Sequence, residues 1–206
     1  EYIHIDGQDG DIAIGDGKLK NVNQGFPFKV KCPVGTSIKK LSNDISRWLK
    51  SDDLWHDFLD SSDNDFIYRA MYVDEYEIQR LLFRNGKVVL TFVLKPYKYL
   101  KTGLNEVSNP SYVDNPFDRA SKPKITIKGT GNITFEIGNQ TVSLKGVDGG
   151  IVIDSLYDTV TNLDGTSAWT KITTYPLPRI SKGRQNIITT GTVTDVKIIP
   201  RWEAIV

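Results

Sequence analysis

The chain has 206 residues, of which 39% are hydrophobic, 10% aromatic and 25% charged, with 26 Lys+Arg against 25 Asp+Glu. This is globular composition at almost no net charge, which argues against a dedicated nucleic-acid binder, whose affinity rests on clustered cations. Residues 1–100 carry 14 basic and 15 acidic side chains and residues 101–206 carry 12 and 10, so neither half is a basic arm or an acidic tail.

Cys32 is the sole cysteine, so no internal disulfide framework holds the fold. No run of about 18 apolar residues occurs, which excludes a helical membrane span. Two histidines, His4 and His56, leave little for the commonest metal and acid–base chemistries. The first residue is Glu1 and the one methionine is Met71, so the start of the natural chain is expected to be missing.

In chain order, Phe26, Phe28, Val30 and Cys32 alternate with Pro27, Lys29 and Lys31, the period of a half-buried strand. Cys32 lies in its apolar phase and reads as a small buried hydrophobe rather than a reactive thiol. Gly35 breaks the run, and Thr36 or Ser37 can cap a helix reaching Ser51. Ile38, Leu41, Ile45, Trp48 and Leu49 recur at helical spacing and are expected to pack on a sheet or a neighbour. Residues 66–73 and 87–95 are strongly β-prone, and Asn85-Gly86 is a tight-turn signal before the second. Residues 74–82 fit helix and strand equally.

Between residues 101 and 122 the apolar pattern lapses into Asn, Ser, Pro and Asp, which marks a linker or excursion and the expected domain boundary. Short strands follow at 124–128, 132–137, 140–145, 151–154, 186–190 and 193–199, separated by Gly129-Thr130-Gly131, Gly138-Asn139 and Gly149-Gly150. That punctuation indicates a β-sandwich.

No chemistry-bearing motif is compelling. Residues 52–65 hold Asp52, Asp53, Asp57, Asp60, Asp63 and Asp65 with no Lys or Arg, but the spacing and missing glycine do not fit a calcium loop. A solvated acidic loop is the plainer reading. Asp6, Asp9 and Asp11 fail the same pattern, and Gly7 and Gly10 read as turn formers. Gly129-Thr130-Gly131 opens like a dinucleotide fingerprint, but Thr134 stands at the third glycine and a strand follows where a helix is needed. Glu136, Asp148, Asp154 and Asp158 are the acids a glycosidase could use, and nothing separates them from surface acids. Tyr112, Phe117, Phe135, Tyr157, Trp169, Tyr175 and Trp202 could stack on sugar rings if exposed, although packing is the commoner fate. No catalytic, cofactor-binding or metal-ligating residue is singled out.

The order of longer motifs says more. Gly149-Gly150-Ile-Val-Ile-Asp154-Ser, Tyr175-Pro-Leu177-Pro, Gly183-Arg-Gln-Asn186-Ile-Ile188 and Val196-Lys-Ile198-Ile-Pro200-Arg201-Trp202 follow one another through the C-terminal half. In the N-terminal half stand Asp6-Gly7-Gln8-Asp9-Gly10, the helix end Arg47-Trp48-Leu49, and Phe92-Val-Leu-Lys95-Pro96-Tyr97-Lys-Tyr99. In this order the chain resembles the distal tail (Dit) proteins of long-tailed phages and prophages. It departs from them in Tyr175 for Phe, in Lys182-Gly183 for Pro-Gly, and in lacking the first strands, which suggests a truncated or cleaved chain.

The resemblance implies a mainly β fold, all-β or α+β. An N-terminal split-barrel-like domain with one helix, 1–100, would form a belt, 101–122 would link, and a galectin-like β-sandwich, 123–206, would project. It implies a structural, non-enzymatic part of a tail tip or baseplate, a hexameric ring between tail tube and tail-tip hub or receptor-binding proteins, serving host attachment. It implies a virion location after synthesis in the host cytoplasm, with no cofactor, nucleic-acid contact or membrane insertion. A secreted carbohydrate-binding sandwich is the alternative.

Overall fold

The computed structural model describes residues 2–4, 6–7, 9–10, 12–13, 17–72, 79–82 and 85–206. It is mainly β with one α-helix. Two units emerge from how residues pack: residues 1–56 with 70–96, and residues 57–69 with 97–206.

In the first unit, β1 (Tyr2–Ile3) pairs with β2 (Ile12–Ala13). Next, β3 (Val22–Lys31) precedes α1 (Ile38–Leu49). Of the two caps the sequence offers, Thr36 and Ser37, it is Ser37 that caps α1, its hydroxyl accepting from the Lys40 amide at 3.2 Å, and the helix ends at Leu49, short of Ser51. The strands β4 (His56–Phe58) and β5 (Phe66–Tyr72) follow. Then come β6 (Gln79–Leu82) and the long β7 (Asn85–Leu100). Both β5 and β7 contribute residues to each unit.

The strand β3 runs antiparallel to β7 over ten residue pairs, from Val22↔Leu94 to Lys31↔Asn85. Asn85 and Gly86 are therefore ladder residues and do not form the turn their sequence suggests. Of the ambiguous stretch 74–82, 79–82 is strand and 74–78 lies outside the described residues, as does Val73 of the β-prone run before it. Strict alternation on β7 buries Val88, Leu90, Phe92 and Leu94, and Ala70 and Tyr72 join them from β5. The Phe92 ring meets Phe26 and Tyr72 edge-on at 6.0 and 5.5 Å.

The second unit holds the larger core. A 3-10 turn at Lys101–Leu104 leads into β8 (Val107–Ser108) and β9 (Tyr112–Asn115), so the polar stretch 101–122 carries two short strands of its own. The central strands are β10 (Lys124–Ile137), β11 (Gln140–Val147), β12 (Ile151–Asp154) and β13 (Thr159–Asn162). A second 3-10 turn at Trp169–Lys171 is followed by β14 (Gly183–Ile199) and β15 (Glu203–Ile205). The sheet order is β13-β12-β10-β14-β8, with β11 also on β10 and β9 also on β14.

Two pairs of expected short strands are single long ones. The 124–128 and 132–137 strands merge into β10, and the 186–190 and 193–199 strands merge into β14. Gly129-Thr130-Gly131 is no chain reversal: the β10–β14 register shifts there and both strands run on. Such a bulge bends a strand without ending it. Glycine is required at 129, because an added Cβ would lie 2.3 Å from the Thr192 carbonyl oxygen. One half of β10 pairs with β12 and the other half with β11. Ile125, Ile127, Ile133, Phe135 and Ile137 alternate inward along it and meet Val142, Leu144, Ile151, Ile153, Val196 and Ile198. Full burial of each such side chain contributes about 1.5–3 kcal/mol. Finally β15 returns the chain to β7, with Glu203 opposite Tyr99 and Ile205 opposite Tyr97.

Candidate functional site

Three aspartates of the acidic stretch, Asp52, Asp57 and Asp63, each face a separate partner. Asp57 lies 3.1 Å from the Arg69 guanidinium. Asp63 accepts from the Lys98 ammonium at 2.5 Å and from the Tyr68 hydroxyl. The Lys98 hydrogen bond, seconded by Tyr68, holds the Asp63 carboxyl below its ordinary range. Asp60 accepts from the Ser62 amide at 2.9 Å, and Asp52 accepts from or pairs with His56 at 2.7 Å. The cations come from Arg69 and Lys98, outside the stretch, which is why the segment alone looks unpaired. Among the described residues no three His, Cys, Asp or Glu side chains gather as a metal site. Cys32 is buried, and its thiol donates to the Thr36 carbonyl at 2.9 Å.

Two of the C-terminal motifs, the one holding Asp154 and the one holding Arg201, meet in a nearly buried ion pair. Asp154 ends β12 and Arg201 precedes β15, 47 residues later. The guanidinium grips both carboxylate oxygens, Nη1 to Oδ1 at 2.6 Å and Nη2 to Oδ2 at 2.9 Å. Both side chains are nearly buried. Asp154 Oδ1 also accepts from the Leu156 and Tyr157 amides and so shapes the turn after β12. Arg201 holds this position with φ of 56°, in a region that non-glycine residues visit rarely.

Burial pushes the Asp154 carboxyl up, but the Arg201 hydrogen bonds and charge outweigh it and leave the pKa below its ordinary 3.8. A lowered folded-state pKa stabilises above the unfolded value, and that stability is lost as pH falls through the folded one. The gap in melting temperature between the wild-type protein and Asp154→Asn is therefore expected to narrow as pH falls from about 5 to 2. A gap unchanged across that range, followed by circular dichroism, would contradict the assignment.

A second pair lies beside it in sequence. Arg119 Nε donates to the buried Glu203 at 3.0 Å, and its guanidinium lies 3.9 Å over the Tyr97 ring. Burial, with the Glu203 charge adding, pushes the Tyr99 hydroxyl up to about 12. Of the acids a glycosidase could use, Asp154 is thus committed to Arg201, and Asp158 accepts from the Tyr175 hydroxyl at 3.4 Å.

The seven aromatics of the C-terminal half divide sharply. Phe135 and Trp202 are buried, and Phe117 packs on the core and on Phe66 at 5.9 Å. Tyr112 is exposed beneath the Arg184 guanidinium at 4.0 Å. Tyr157, Trp169 and Tyr175 are exposed, Tyr175 at 70%. Trp169 and Tyr175 stand together, with ring centroids 6.4 Å apart and planes inclined at 54°.

The first unit leaves apolar surface uncovered. Phe28 on β3 is exposed although it shares the phase of half-buried Phe26 and Val30. No residue of α1 is fully buried, and Trp48 is 72% exposed. Trp48 was expected on the packed face. It lies ten residues from Ile38, roughly 80° round the helix, and so falls on the rim of the apolar stripe. Val34, Leu54 and Val89 are exposed in the same unit.

No family model matches the chain, and no curated protein matches its sequence. Its fold is that of a solved phage protein, SPP1 Dit (gp 19.1), described as a paradigm of the hub adsorption apparatus in phages infecting Gram-positive bacteria. The similarity has a TM-score of 0.72 at 16% identity and covers 96% of this chain and 86% of that one. The fold expected from the order of the motifs is thus met in the structure.

Proposed function

We propose that this chain is a Dit-type distal tail protein, a structural part of the tail tip or baseplate of a long-tailed phage or prophage. The observation that carries the reading is the shared fold with SPP1 Dit along nearly the whole chain. In this reading residues 1–100 form the belt of a hexameric ring, 101–122 lead onward, and 123–206 are a galectin-like sandwich facing outward. The ring joins the tail tube to tail-tip hub and receptor-binding proteins for host attachment. The chain contributes contacts and no catalysis, and it resides in the virion after synthesis in the host cytoplasm.

The exposed apolar residues of the first unit support this. Single apolar side chains at a surface are ordinary, but Phe28, Val34, Trp48, Leu54 and Val89 in one small unit favour association. A ring would also close open strand edges. Sedimentation velocity and negative-stain imaging are expected to find hexamers. Trp48→Asp is expected to shift the population to smaller species with the β-sheet circular dichroism unchanged, since Trp48 supports no buried core. A protein that stays monomeric at high concentration would sink the ring.

A further inference from the structure

The segment from residue 168 to 180 carries two exposed rings on a firmly anchored backbone. Ala168 is buried and its amide donates to the Val160 carbonyl at 2.9 Å. Thr173 donates from its amide to the Ser143 carbonyl at 3.0 Å, and the Thr174 hydroxyl accepts from the Ser143 amide at 3.2 Å. Gln140 closes a reciprocal pair with Arg179, accepting from its amide at 3.0 Å and donating to its carbonyl at 2.6 Å. Ile172, Leu177 and Ile180 plug into the core. The fold therefore holds this segment through its buried residues and backbone, and Trp169 and Tyr175 are left pointing to water from a fixed frame.

Asp158 stands against this pair. Its Oδ2 accepts from the Tyr175 hydroxyl at 3.4 Å, and it sits on the turn that the Asp154–Arg201 pair shapes. Lys171, on the same 3-10 turn as Trp169, donates to Asn162 Oδ1 at 2.7 Å, so the surroundings are polar. A stable protein interface needs about 800 Å² per partner with an apolar centre. Two rings set among Asp158, Lys171 and Asn162 offer much less than that. They match a ligand of ring size that has an apolar face and hydroxyls at its edge. Tyr and Trp also supply such contact area at low entropy cost, having two χ angles each.

We propose that Trp169, Tyr175 and Asp158 form a binding site for a neutral hexopyranose unit of a polysaccharide. The apolar face of the sugar stacks on the rings, and the Asp158 carboxylate accepts from its hydroxyls. The site stands on this geometry and does not require ring assembly of the chain.

The test titrates the whole protein with tetrasaccharides of glucose, galactose, N-acetylglucosamine and N-acetylgalactosamine, followed by saturation-transfer and amide NMR. At least one is expected to bind with Kd on the order of 1 mM. Trp169→Ala and Tyr175→Ala are each expected to weaken it at least tenfold while melting temperature holds. Tyr112→Ala, an exposed aromatic elsewhere in the unit, is expected to leave binding unchanged. No binding across the panel would overturn the site, as would equal binding by both variants. Loss of association with another protein, in place of a sugar, would also overturn it.

Discussion

Arg201→Ala is expected to destabilise the protein by about 3–5 kcal/mol, because it leaves the Asp154 carboxylate buried without its counter-ion. At the slope usual for chains of this size the melting temperature falls by on the order of 10 °C. The cost is large because Asp154 is gripped at both oxygens in a place water barely reaches. Arg201→Lys is expected to recover only part of the loss, since an ammonium cannot make the planar, two-bond grip. The double variant Asp154→Leu with Arg201→Met is expected to lose less than Arg201→Ala alone, because a hydrophobic pair has no stranded charge. Chemical denaturation of the four proteins checks the series. If Arg201→Ala cost less than about 1 kcal/mol, the pair would be a surface-type bridge and its part in shaping the turn at 155–158 would lapse.

Phe135→Ala is expected to cost as much, about 3–5 kcal/mol, through loss of transfer energy and the cavity left behind. Phe135 is fully buried near the C-terminal end of β10, opposite Val142 on one side and Thr189 on the other. Its neighbours Ile133 and Ile137 are buried and held by β11, Ile137 by β14 as well, so the gap cannot collapse easily. Urea unfolding should show a lower midpoint with an unchanged slope. A cost near that of an exposed site would mean that the core is loosely packed at its centre. The stability loss matters for function in a specific way. The strand β11, paired to β10 opposite Phe135, anchors the segment bearing Trp169 and Tyr175, so saccharide contacts should weaken in step with the unfolded fraction.

These two residues differ in how visible they are beforehand. Phe135 follows from alternation: Ile133, Phe135 and Ile137 share one phase of a β-prone run, and a strand has a two-residue period. The Ser37 cap and the Ile38–Leu49 helix were legible for a similar reason, since capping and helical spacing are settled within a few residues. So were the strands expected at 140–145 and 151–154, which the structure places at Gln140–Val147 and Ile151–Asp154. The importance of Arg201 and Asp154 showed only as motif order, because their bond spans 47 residues.

Other features needed the assembled chain outright. The glycines at 129 and 131 carry the same local signal whether the strand turns or bulges, and what decides is that β14 pairs with β10 on both sides of them. Asn85-Gly86 became ladder because β3 runs beside it for ten residues. The charges of Asp57 and Asp63 looked unpaired until β5 and β7 brought Arg69 and Lys98 to them. Aromatic identity says nothing about exposure: Phe135 and Trp202 are buried by the core cluster they join, whereas the anchoring of 168–180 leaves Trp169 and Tyr175 exposed. By itself, then, the sequence determined the one helix, most of the strands and their phase, and the near-neutral, single-cysteine character of the chain. Tertiary structure decided which elements meet and which faces stay open. Periodicity and capping act over a few residues, whereas strand pairing and burial depend on partners tens of residues away.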